Sequence, residues 1–282
     1  MKRSLVFLYF IFVTFRGYAD DTCEPDACVA ADSFRFALAI GYGQRTNPLR
    51  NGDNQNLVLI GDFAWYGKAF YIDNLEIGYQ WHEGNALSVN TYITYDREAR
   101  PFHFFDGFDA SPLDMFTASE IISSPGGVTS RISIESLARR NNGVHGGVRL
   151  NASHGDNVVR LAVEHDLANV HQGIKVQLTY RYRMKFADWL VSVGPQITWH
   201  DAAFNDYYYG ISARDTADSR LWYTSSSGFR PGANFSLTKQ LNSQWGVLFF
   251  ARYQHLPSSL TRSPIVDQNH IRTVFAGLTY AF

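Results

Sequence analysis

The sequence is poor in cysteine, in unbalanced charge and in long apolar runs, and each shortage excludes something. Its 282 residues hold two cysteines, Cys23 and Cys28. Two thiols cannot complete a structural zinc site by themselves. Four residues separate them, so they do not form the C-x-x-C of a redox motif. Lys and Arg number 25 against 26 Asp and Glu. A nucleic-acid binder would carry a basic excess, so no nucleic-acid partner is expected. Beyond the N-terminus no window reaches the ~18 consecutive apolar residues of a transmembrane helix. There is no Walker loop, H-E-x-x-H, G-x-S-x-G or EF-hand loop. No catalytic, cofactor or metal site is therefore expected.

Aromatic residues are abundant, at 15% of the chain, and glycines number 22. Mean hydropathy is -0.20, far from that of a polytopic helical membrane protein. Soluble β proteins and outer-membrane barrels share this composition, so the order of the residues must separate them.

Residues 1–19 read as a secretory signal. Lys2 and Arg3 form the positive start, Leu5 to Phe15 the short apolar run, and Gly17-Tyr18-Ala19 the small-residue cleavage site. Residues 20–32 follow as a short periplasmic segment. Asp21 and Thr22 precede Cys23, which is not the apolar setting of a lipid-anchor site. An exported, oxidising setting favours a small Cys23–Cys28 disulfide.

The rest of the chain, 33–282, is a succession of alternating segments of roughly ten residues, the period of membrane-spanning strands. The cleanest runs from Ile174 to Phe186. Ile174, Val176, Leu178, Tyr180, Tyr182, Met184 and Phe186 share one face. Lys175, Gln177, Thr179, Arg181, Arg183 and Lys185 share the other. A period of two sends alternate side chains to opposite faces. Buried in a soluble core, the second face would strand unpaired charges; facing a wet lumen, it strands none. Lys175, Arg181, Arg183 and Lys185 thus form a basic ladder in a barrel lumen, with Arg149 and Arg160 on nearby strands. One reading is attraction of anionic solutes. The other is a charge network that closes the lumen, with Asp62, Glu76, Asp96, Glu164 and Asp166 as counter-ions.

Tight turns at 67–68, 83–85, 154–157, 187–188 and 242–243 alternate with longer connections at 44–54, 98–141, 201–219 and 257–268. This is the pattern of short periplasmic turns and longer outer loops. Eleven strands are obvious. An even number with both termini inside requires a further hairpin at Asp73-Asn74, which gives about twelve; ten would follow if the 68–82 pair did not span. The fold class predicted is all-β, a transmembrane antiparallel up-and-down barrel in the outer membrane of a Gram-negative bacterium. The 98–141 connection has room to fold over the mouth or into the lumen. At the end, Leu278, Tyr280 and Phe282 alternate on one face, like the assembly signal of outer-membrane proteins. Outer-membrane lipid and the barrel-assembly machinery are the partners this implies.

Two further candidates need weighing. His165 falls on an apolar face, where an outer-membrane lipase would hold a catalytic His. Its possible serines, Ser225 and Ser227, lie three strands away in the expected register, and a His near the interface is the plainer account. Tyr207-Tyr208-Tyr209 and the Ser263-Pro264-Ile265-Val266 segment fall on the outer side. They form either a contact surface or the packing of one loop on another.

The residues Tyr208-Tyr209-Gly210-Ile211-Ser212, Ser263-Pro264-Ile265-Val266 and the end Tyr280-Ala281-Phe282 resemble the MipA/OmpV family of outer-membrane proteins. That family carries a Y-[YF]-G-[IV]-S motif, an S-P-I-V-like loop and a Y-x-F end. The resemblance spans essentially the mature chain and is sharpest over 204–282. The Cys23–Cys28 pair and the 98–141 loop are not part of it. It implies a non-enzymatic barrel without cofactor. MipA-like members are scaffolds that join a murein-cleaving transglycosylase to a murein synthase, and OmpV-like members are linked to adhesion. The expected function is therefore a scaffold or interaction protein of the cell envelope. The alternatives are a channel for small, anionic solutes and a surface adhesin.

Overall fold

The computed structural model describes residues 32–84, 86–99, 101 and 137–282. The signal segment, the Cys23–Cys28 pair and most of the 98–141 connection lie outside the described residues.

Alternation and strand-favouring residues build twelve strands. They are β1 Ser33–Arg45, β2 Gln55–Tyr66, β3 Phe70–Asp73, β4 Glu76–Glu83, β5 Leu87–Tyr95, β6 Val144–His154, β7 Asn157–Asp166, β8 Ile174–Phe186, β9 Trp189–His200, β10 Gly228–Gln240, β11 Trp245–His255 and β12 His270–Ala281. Each pairs antiparallel with its sequence neighbours. β1 closes on β12 through Ala37 opposite Ala281 to Arg45 opposite Thr273. Closure leaves no sheet edge, as a membrane-spanning barrel requires.

The required twelfth strand comes from the turn after Asp73. Asn74 takes a left-handed φ of 55° there. Its N–H donates to Phe63 O at 2.7 Å, and its Oδ1 accepts from Phe63 N–H at 3.2 Å. Asn74 thus stands in for one more rung of the ladder where β3 stops short. β3 has only four residues and pairs with β2 over Ala64–Tyr66.

The apolar faces point outward. On β8, Ile174, Leu178, Tyr180, Met184 and Phe186 are exposed. On β1 it is Phe34, Phe36, Ile40 and Tyr42. In water such a surface would aggregate; in a bilayer it is the lipid-facing band. Aromatic rings gather at the inner rim. Trp245 stacks edge-on to Tyr280, Tyr280 to Phe282, and Phe282 lies 5.0 Å from Phe36 across the closing seam.

Two helices belong to the outer loops: α1 Ala202–Tyr209 and α2 Ser258–Thr261. The only large apolar cluster among the described residues is built from these loops, at the outer mouth.

Candidate functional site

At the outer mouth the loops form a packed plug. Asp201 starts α1 by accepting the N–H of Phe204 at 2.9 Å. This directs α1 inward, so that Phe204, Tyr208 and Tyr209 are fully buried. They pack with Leu256, Leu260, Ile265 and Val266 from the β11–β12 loop and with Leu49 from the β1–β2 loop. Ser263 Oγ donates to Tyr209 O at 2.6 Å, tying the two loops together. Gly210 ends α1, and Ile211 bridges to Tyr223. Pro264 O accepts from Arg50 Nε at 3.1 Å. The two motifs singled out in the sequence therefore meet, and they meet as one loop packed on another.

Charges buried in the plug are paired. Arg140 Nη1 donates to Asp215 Oδ1 at 2.9 Å, with both side chains fully buried. Burial would raise the Asp215 pKa, but hydrogen bonds from Arg140 and the Ser212 N–H outweigh it and hold the carboxyl low. Glu98 reaches Arg230 and the Tyr209 hydroxyl, each at 2.5 Å. Its pKa is also held low, because Arg230 and the Tyr209 hydrogen bond overcome desolvation. Tyr208 donates to Asp96 Oδ2 at 3.1 Å, and burial followed by Asp96 drives its hydroxyl pKa up. None of these pairings was legible in the sequence, because each joins segments far apart along the chain. His145 and His171 were missed for the same reason.

Asp96, His145 and His171 each bring one potential metal-ligand atom within 4.8 Å of the others. The hydrogen bonds give them another role. Gly173 N–H donates to His171 Nδ1 at 2.9 Å, so the neutral ring carries its proton on Nε2. That proton points at His145 Nε2, 2.9 Å away. His145 Nδ1 then donates to Glu164 Oε2 at 3.2 Å. Every donor has an acceptor, and the cluster reads as a relay rather than a metal cradle. His171 also lines an outer cleft of about 420 Å³ with Asp206, Tyr207, Ser212 and Arg214.

Below the plug, the basic ladder divides. Lys175 pairs with Glu164 at 2.5 Å. Arg181 and Arg183 have no carboxylate partner among the described residues. Of the other expected counter-ions, Glu76 pairs with Arg149, a lumen cation on a nearby strand, at 2.6 Å, and Asp62 pairs with Arg35 at 3.1 Å. Asp166 accepts backbone N–H groups of Ala168, His171 and Gln172. Lys185 is exposed on the lumen-facing side of β8. His165 Nδ1 lies 3.2 Å from Gly173 O, and Ser225 Oγ donates to Ser259 O at 2.7 Å inside the plug, so no His–Ser dyad forms. Leu278, Tyr280 and Phe282 lie beside β1 and the inner rim.

An apolar outer band, an aromatic rim and a polar lumen define an outer-membrane β-barrel, here with a packed plug at its outer mouth. The family model described as MltA-interacting protein MipA matches residues 36–282, and the chain belongs to that family. It is 22% identical to Outer membrane protein OmpV of Vibrio cholerae, with both chains covered in full. It is 29% identical to the MltA-interacting protein of Escherichia coli over 44% of this chain and 50% of that one. Among solved structures it is similar to OmpT of Vibrio cholerae, at 8% identity and a TM-score of 0.37, covering 88% of this chain and 97% of that one. The protein is thus an outer-membrane barrel of a Gram-negative bacterium.

Proposed function

We propose that the chain acts as a non-enzymatic interaction protein of the cell envelope, holding murein hydrolase or synthase partners at the outer membrane. The observation that carries this reading is the plug. With Phe204, Tyr208 and Tyr209 fully buried across the mouth, the barrel offers its rims and loops more readily than a path. A similar protein bears the name MltA-interacting protein, which supports a murein enzyme as the partner. The test is a pull-down with the tagged barrel from detergent-solubilised envelopes. Enrichment of a murein hydrolase or synthase is expected; its repeated absence overturns the reading.

One observation favours a second reading, a channel for small anionic solutes: Arg181 and Arg183 face the lumen without described carboxylate partners. In planar bilayers that reading requires a steady conductance that falls when both arginines are neutralised.

A further inference from the structure

The six adjoining strands β8, β9, β10, β11, β12 and β1 contain no Asp or Glu at any position. Their lumen face carries cations all the same. The strand register places three of them in one row. Arg181 lies level with Gly194, because Thr179 pairs with Gln196 and Tyr182 with Val193. Gly194 pairs with Asn234, Asn234 with Arg252, Arg252 with Thr273, and Thr273 with Arg45. The row therefore reads Arg181, Gly194, Asn234, Arg252, Thr273, Arg45. All of these lie on the face opposite the exposed Tyr180, Tyr253, Leu278 and Tyr42.

Arg252 is held in place. Asn234 Nδ2 donates to Gln196 Oε1 at 2.9 Å, which fixes the amide. Asn234 Oδ1 then accepts Arg252 Nε–H at 2.8 Å. The terminal nitrogens of Arg252 have no partner among the described residues, although the side chain lies inside the barrel and is solvent-exposed. Gly194 presents no side chain between Arg181 and Asn234. Along this row Arg252 lies two strands from Arg45 and three from Arg181. Neighbouring strands lie about 4.8 Å apart, so Arg181 and Arg252 are set about 14 Å apart along the wall. Guanidinium groups bind carboxylate and phosphate through paired, charge-assisted hydrogen bonds. Two such groups at that spacing suit a ligand with more than one charged end.

We propose that this row is a binding site for small solutes bearing two or more carboxylate or phosphate groups. Arg252 and Arg181 are its principal contacts, and Asn234 is the residue that positions Arg252. With the outer mouth plugged, the ligand enters from the periplasmic end, past the exposed Arg183. The site does not depend on the scaffold reading and stands whether or not the barrel conducts.

The test is calorimetric titration of the full barrel in a zwitterionic detergent with citrate and, separately, with pyrophosphate. Acetate and inorganic phosphate serve as the single-group comparison. Saturable binding of at least one polyanion is expected, weakened by salt and stronger than for its single-group counterpart. Arg252→Gln and Arg181→Gln are each expected to weaken it on the order of ten-fold. Arg220→Gln, which removes an exposed outer-loop charge, should leave it unchanged. Heat-modifiable gel migration verifies that each variant is folded. Asn234→Leu gives an independent reading, because it keeps every charge and should still weaken binding. No saturable binding of either polyanion, or binding that the folded Arg252 and Arg181 variants retain, overturns the proposal.

Discussion

The Nε2 atoms of His145 and His171 face each other at 2.9 Å in a buried contact between the barrel wall and the β7–β8 loop. Two rings can share such a contact only if one donates and the other accepts. The Gly173 N–H on His171 Nδ1 settles the direction. A second proton on His171 would face the Gly173 N–H, so the contact favours a neutral His171 ring.

That gives the first prediction. Burial lowers the His171 pKa below its usual 6.5 and His145 opposes its charge, while Asp166, Asp96 and Asp201 pull the other way. A histidine whose folded pKa is depressed binds fewer protons folded than unfolded. Its contribution is complete above the unfolded pKa and is lost as pH falls from there toward the folded value. Amides 167–173 should therefore lose hydrogen-exchange protection between pH 7.5 and pH 5, after correction for intrinsic rates. His171→Asn should flatten the change. Protection that does not vary with pH in the unmodified protein would contradict this account.

Arg140 and Asp215 give the second. Removing one member of a fully buried pair leaves the other charge unpartnered, at a cost of about 3–5 kcal/mol. In Asp215→Ala the loop 210–227 should open far more often, and trypsin should cut at Arg214 on the order of a hundred-fold faster or more. The barrel itself should keep its heat-modifiable migration. Equal cleavage rates would mean that the pair contributes little to closing the loop.

The wall was legible and the plug was not, for a physical reason. Strand faces follow a period of two that any eight residues display, so Ile174–Phe186 announces its lipid and lumen sides without reference to another segment. Even the short β3 strand follows from a parity rule and an Asp73-Asn74 turn. The plug depends on pairs such as Glu98 with Arg230 and Arg140 with Asp215, whose members lie far apart along the chain and mostly in irregular backbone. No periodicity records such contacts. The Tyr208-Tyr209-Gly210 motif marked the place but left open whether the rings face solvent or each other. The seven-residue loop carrying His171 is short enough to pass for a turn. The acid-free half of the wall was visible in the composition of single strands, yet its meaning needed the register that aligns Arg181, Arg252 and Arg45.

The plug gives the third prediction. Phe204 and Tyr208 fill the space beneath the loops, so cutting both to alanine removes two buried rings at about 3–5 kcal/mol each. Phe204→Ala/Tyr208→Ala should raise the frequency of open events in planar bilayers above that of the unmodified barrel. Replacing the lipid-facing Phe186 by alanine should not. If the double variant is as closed as the parent, the barrier lies elsewhere in the lumen.

The closing seam gives the last. Phe282 N–H donates to Phe36 O at 3.0 Å, and the two rings lie 5.0 Å apart, so the final residue helps join β12 to β1. Tyr280 extends the contact on the other side at 4.8 Å and in turn meets Trp245. The rings sit at the inner rim, where amphipathic aromatic groups favour the membrane–water interface. Deleting Phe282 removes one seam hydrogen bond and the ring that links Phe36 to Tyr280. Assembly in cells should fall while refolding in detergent micelles persists, because the remaining register from Ala37–Ala281 to Arg45–Thr273 is untouched. Restoring Trp or Tyr at the end should recover part of the surface level, and Ala should not. If Ala recovers it as well as Tyr, the ring is irrelevant and only chain length matters. If the deletion also blocks refolding in micelles, Phe282 acts through seam stability rather than through recognition during assembly.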